Sequence, residues 1–98
     1  MEHKIISATW KSKEALSDII SAHEDEGWSV AALGDVFGSN LLIFIKDGRK
    51  YSHQIEATLF KTKEKLQKII ADKEKEGLQV CAIGECFGGS ITILKREI

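Results

Sequence analysis

The chain has 98 residues, of which 43% are hydrophobic and 30% charged, and a formal net charge of −1. That length allows one domain or two very small ones in close contact, and the composition is that of a folded globular protein and not a disordered one. The balance of 14 basic and 15 acidic side chains argues against a surface built for nucleic acid or anionic lipid, and no apolar run reaches the roughly 18–20 residues that span a bilayer. The opening residues Met1 to Ile6 lack a basic stretch followed by a long apolar one, so neither a signal peptide nor a membrane anchor is expected.

The strongest pattern is an internal duplication. Shifted by 50 positions, the sequence matches itself without a gap, with 17 identities over the 44 pairs from 3/53 to 46/96. His3 falls on His53, Leu16 on Leu66, Ile19-Ile20 on Ile69-Ile70, and Glu26-Gly27 on Glu76-Gly77. Gly34 falls on Gly84, and Phe37-Gly38 on Phe87-Gly88. So many matches in one register mean one folding unit written twice, over 1–48 and 49–98.

Each copy reads as strand, helix, strand, strand. The first strand is expected from His3 to Trp10, and from His53 to Phe60 in the second copy, on its Ile, Thr and aromatic content. Ser12 and Thr62 then stand where an N-cap belongs, with Glu14 and Glu64 in the positive first turn. Leu16, Ile19, Ile20 and His23 form one helical stripe, matched by Leu66, Ile69, Ile70 and Lys73. Gly27 and Gly77 end the helices, being at ease in the left-handed C′ position. Second strands follow over Trp28 to Leu33 and Leu78 to Ile83. Third strands follow over Leu41 to Lys46 and Ile91 to Arg96, each after a glycine-rich connection.

The helix makes the first two strands parallel, and the third returns as a hairpin. The expected order is 1-3-2, with every neighbour antiparallel. The fold class is therefore α+β: two tandem βαββ repeats, with a helix on one face of each sheet. The Asp47-Gly48 dipeptide between the copies marks a tight turn. It leaves open whether the copies keep or exchange their first strands.

A helix covers only one face of a sheet, yet both faces here are apolar. Strict alternation puts Trp28, Val30 and Ala32 opposite Ala31 and Leu33, and Leu41, Ile43 and Ile45 opposite Leu42 and Phe44. A wet face would leave several side chains worth roughly 1.5–3 kcal/mol each unburied. Either the copies stack their sheets face to face, or six strands form one curved sheet that packs on another chain. The partner expected is a second copy, as a two-fold dimer, with Trp10, Trp28, Leu42 and Phe44 as interface candidates.

The run Glu26-Gly27-Trp28-Ser29-Val30 closes an amphipathic helix with a Glu-Gly-Trp-x-[Leu/Val] signature. In this it resembles a group of small bacterial and phage domains of unknown function, about as long as one copy. The second copy departs from the pattern, with Leu78 in place of the tryptophan. The resemblance implies a βαββ fold and self-association, and carries no catalytic residues. The topology is also similar to that of dodecin, a flavin-binding assembly, at the level of fold alone.

Candidates for chemistry are few. The glycine-rich connections, with Gly34, Asp35, Phe37, Gly38 and Gly84, Glu85, Phe87, Gly88, offer backbone N–H groups and a ring to a small ligand. They match neither a Walker loop nor a dinucleotide fingerprint, so no cofactor is expected. Asp35 and Glu85 as a carboxylate pair, or His3 and His53 as an imidazole pair, would carry an enzyme if there is one, but neither pair has a partner nucleophile. Lys11, Lys13, Lys61, Lys63 and Lys65 crowd the helix starts, beside equally acidic helices. Cys81 and Cys86 lack the further ligands of a zinc site and read as small buried thiols in a reducing cytoplasm, so no metal is expected. The reading is a non-enzymatic, cytoplasmic, self-associating module that binds a small ligand or a protein partner. The alternatives are an interaction adaptor without a ligand, a phage- or defence-related module that sequesters a small anionic metabolite, and a small enzyme.

Overall fold

The computed structural model describes residues 1–58 and 61–98. Its elements run β1 (Glu2–Ser7), α1 (Lys13–Asp25), β2 (Ser29–Val36), β3 (Ser39–Lys46), β4 (Tyr51–Ala57), α2 (Lys63–Glu74), β5 (Gln79–Cys86) and β6 (Gly89–Glu97). They form two antiparallel three-stranded sheets, of order β1-β3-β2 (sheet 1) and β4-β6-β5 (sheet 2). Each copy keeps its own first strand, because β1 pairs with β3 and β4 with β6.

The helix ends follow from single side chains. Ser12 Oγ accepts from the N–H of Ala15 at 3.2 Å, and Thr62 Oγ1 from that of Lys65 at 3.2 Å. Each occupies one donor that the first turn leaves free. Gly27 and Gly77, at φ 91° and 84°, turn the chain out of its helix.

Three sequence expectations change. The first strand stops at Ser7, short of Trp10, because Lys11 N–H closes a turn on Ala8 O at 3.1 Å with Trp10 at φ 64°. In the second copy the matching extension to Phe60 lies at residues 59 and 60, outside those described. The glycine-rich connections are mostly strand, since β2 and β5 run on to Val36 and Cys86 and leave two-residue turns at Phe37-Gly38 and Phe87-Gly88. The alternation in the second strands is also reversed part-way. A bulge at Ala31, and at Cys81 in the second copy, inserts one unpaired residue. Val30 and Leu33 therefore share the helix side with Phe44 and Leu42, while Ser29 and Ala32 share the other side with Ile45 and Ile43.

The two repeats do not stack their helix-free faces, and their strands do not merge into one sheet. The helix-free face of sheet 2 packs instead on the helix side of repeat 1. One core joins Leu16, Ile20, Val30, Leu33, Leu42 and Phe44 to Ala82, Cys86, Ile91 and Ile93. Sheet 2 and α1 together cover the helix side of sheet 1. A Cβ on Gly84 would lie 3.0 Å from the Leu33 side chain, so β5 meets β2 closely there and a larger residue would have to push Leu33 aside. The two sheets thus meet along β2 and β5, with α1 enclosed between them and α2 on the far face of sheet 2. Leu42 and Phe44 are fully buried inside the chain and are not available to a second one, whereas Trp10 is exposed and Trp28 half-buried.

Layer order makes the two copies unequal. Leu16 and Ile20 of α1 are fully buried, while the matching Leu66 and Ile70 of α2 are half-buried. Among the described residues, α2 has none that is buried. Among those same residues, no helix is long and apolar enough to cross a membrane.

Candidate functional site

The two hairpin tips have different surroundings. The second, at Phe87-Gly88, lies against the start of α1, where Phe87 N–H donates to Lys11 O at 2.9 Å. A cleft of about 270 Å³ opens there, lined by Ser12, Lys13, Cys86, Phe87, Gly88 and Ile91 among others. A second depression, of about 230 Å³, also borders Phe87 and is lined by Trp10, Gly38 and Asn40 among others. Trp10 and Phe87 meet edge to face at 5.6 Å between ring centroids, and both are exposed. An apolar wall beside glycine backbone suits a small planar molecule.

Of the residues expected at a ligand site, Phe87 and Gly88 line both hollows and Gly38 one of them. Asp35 and Glu85 are exposed strand residues opposite Asn40 and Ser90, and neither is hydrogen-bonded or ion-paired to the other. Phe37 projects into solvent at the first tip, in left-handed backbone with φ 51°. His3 and His53 do not meet. His3 is exposed on the helix-free face of sheet 1, while His53 faces α1 from sheet 2.

The surroundings of His53 are invisible in the sequence. Its Nε2 lies 2.9 Å from Ser17 Oγ and its Nδ1 2.9 Å from Glu24 Oε1. The three groups span the junction between repeats. With Glu24 ionised, its carboxylate can only accept, so Nδ1 carries the proton that bridges them. The connectivity is that of a serine hydrolase triad, but the setting is not. The His53 and Glu24 side chains are only 6% and 10% exposed. Ser17 lies within α1 (Lys13–Asp25), whose backbone N–H groups there are committed to the helix and cannot serve its hydroxyl as an oxyanion hole. The cluster ties the repeats together.

Lys95 does the same from β6. Its ammonium is buried and donates to Ser29 Oγ at 3.2 Å and Val30 O at 3.0 Å, 4.6 Å from the centre of the Tyr51 ring. Repeat 1 carries Ile45 in the same place. That exchange of an aliphatic residue for a lysine is the clearest sign in the sequence that the copies have different neighbours.

The thiols are unsuited to nucleophilic work. Burial pushes the Cys81 thiol up to about 11 and raises that of Cys86, so both stay protonated near neutrality. Both are free. Among the described residues, no three His, Cys, Asp or Glu side chains gather as metal ligands would. Trp28 lies between Lys4 and Lys46, with ammonium groups 5.6 and 5.3 Å from its ring centroid, which fixes it at the sheet edge.

Comparison with family models, with curated proteins and with solved structures finds no match. The functional reading therefore rests on the geometry of this chain.

Proposed function

We propose that the protein is a non-enzymatic, self-associating interaction module of the cytoplasm. One observation carries this reading: the helix-free face of sheet 1 is apolar and open. Ile5 is 64% exposed and Val36 53%, and Leu41, Ile43 and Ile45 beside them are only half-covered. The matching face of sheet 2 is buried against α1 although it is less aliphatic, with Lys95 and Cys86 where sheet 1 has Ile45 and Val36. A face meant for water would show the opposite bias. Self-association is thus favoured over catalysis, for which the half-buried Ser17 and the largely covered His53 and Glu24 side chains offer little access. The free cysteines fit a reducing compartment.

A second reading, binding of a small planar ligand, is favoured by the exposed Trp10–Phe87 pair beside the cleft. Two measurements separate these readings. Sedimentation velocity over a range of micromolar concentrations should show mass rising with concentration, and a strict monomer would overturn self-association. Trp fluorescence during titration with aromatic metabolites should stay constant for a pure interaction module. Quenching that Trp10→Ala abolishes would establish the ligand site instead.

A further inference from the structure

We infer that the chain associates head to tail, by repeating between molecules the contact its own two repeats make. The inference rests on the self-association reading and names the partner surface: the α2 side of repeat 2 in a second copy.

The internal contact is heterologous. The helix-free face of one unit is received by the helix side of the other, and the two surfaces differ. Such a joint leaves both of its surfaces unused at opposite ends of the chain. Repeat 1 offers a helix-free face, and repeat 2 offers a helix side. Thr92 and Leu94, the counterparts of Leu42 and Phe44, are already covered within repeat 2, but at the rim of the joint the counterparts are left exposed. Leu33 is 8% exposed beneath β5, whereas Ile83, its equivalent, is 54% exposed. Gly84 is pressed on Leu33, whereas a Cβ on Gly34 would have nothing within 4 Å. Phe87 is anchored to Lys11, whereas Phe37 is fully exposed.

The polar residues repeat as well. The internal joint is tied by His53 on Glu24 and Ser17. Fifty positions away stand His3 on the open face and Glu74 and Gln67 on α2, each able to hydrogen-bond. Superposing the internal joint on the free ends puts His3 against Glu74 of the next chain, Gly34 against its Ile83, and Phe37 N–H against its Lys61 carbonyl. At two positions where the copies differ, Ile45 for Lys95 and Val36 for Cys86, the open face gains apolar surface. A two-fold dimer would need one of these faces to complement itself, whereas the chain already contains each face's complement. Repetition of the joint gives a closed ring or an open filament according to the rotation per step.

Complementation tests this. Ile5→Lys spoils the open face and leaves the α2 side intact; Ile83→Lys does the reverse. Both positions are exposed in the single chain, so each variant should keep the wild-type circular dichroism spectrum. Burying a lysine in the joint should weaken association by about a hundredfold, which is two decades in Kd. Wild-type protein should then exceed a dimer in sedimentation velocity, while each variant alone is monomeric. An equimolar mixture should form a dead-ended one-to-one dimer. Gly34→Leu, at a position with open space, should behave as Ile5→Lys does if that variant fails to fold. A wild type that stops at a dimer, or a mixture that stays monomeric, would overturn the head-to-tail joint and leave self-association standing. A wild type that is monomeric throughout would overturn both.

Discussion

Ile20→Ala should cost about 2–5 kcal/mol of stability, and Ile70→Ala, at the matching position, about 1 kcal/mol. Both exchanges remove the same atoms from a helix and gain the same intrinsic propensity. Their difference therefore measures burial alone. Ile20 is enclosed between sheet 1 and sheet 2, so its truncation leaves a cavity with walls on every side. Ile70 is half-covered by its own sheet, and water or a rotamer change fills the gap. Urea unfolding of dilute protein, monitored by circular dichroism, reads both numbers. Equal losses would mean that the two helices have equivalent environments, contrary to the layer order described above.

His53→Ala should cost roughly 2–4 kcal/mol, and His3→Ala should leave dilute protein unchanged. The loss exceeds one hydrogen bond because of what remains behind. Glu24 Oε2 already lacks a protein partner, and without His53 the other oxygen loses its partner too. A nearly buried carboxylate is then left without a donor. Adding Glu24→Gln to His53→Ala should recover part of the loss by removing the charge, a coupling that a double-mutant cycle isolates. If the double variant is less stable than His53→Ala, the carboxylate is not the source of the cost.

Much of this fold was legible in the chain, because its signals are local. Ser12 and Thr62 marked the helix starts by a hydroxyl three residues before its N–H donor, and Gly27 and Gly77 marked the ends. The order 1-3-2 followed from a helical crossover and one hairpin. The errors had specific causes. Strict alternation failed at Ala31 and Cys81, because a bulge turns on one unpaired residue that no side-chain pattern announces. The first strand ended early because Trp10 adopts a positive φ that its residue type disfavours. The turns proved shorter than the glycine content suggested, since Gly34 and Gly84 serve close strand packing or open edge and not loop flexibility.

The candidate site was less legible, for a physical reason. Phe87 and Phe37 are the same residue in the same motif, yet one is held at a junction and the other stands free. His53 and His3 diverge in the same way. An exact repeat encodes one unit well and says little about how two units are placed, because that depends on contacts between distant positions. Only departures from the repeat carry such information. Lys95 against Ile45 is the clearest, an ammonium that finds Ser29 and Val30 of the other copy.

The order of the layers is tested most directly by methyl-to-methyl nuclear Overhauser effects in dilute protein. Cross-peaks are expected from Ile55 and Ile93 to Leu16, Ile20 and the helix side of sheet 1, with Ile5 and Ile43 free of contact with repeat 2. Cross-peaks joining Ile43 to Ile93 would mean that the helix-free faces stack on each other. They would contradict both the open face and the assembly derived from it.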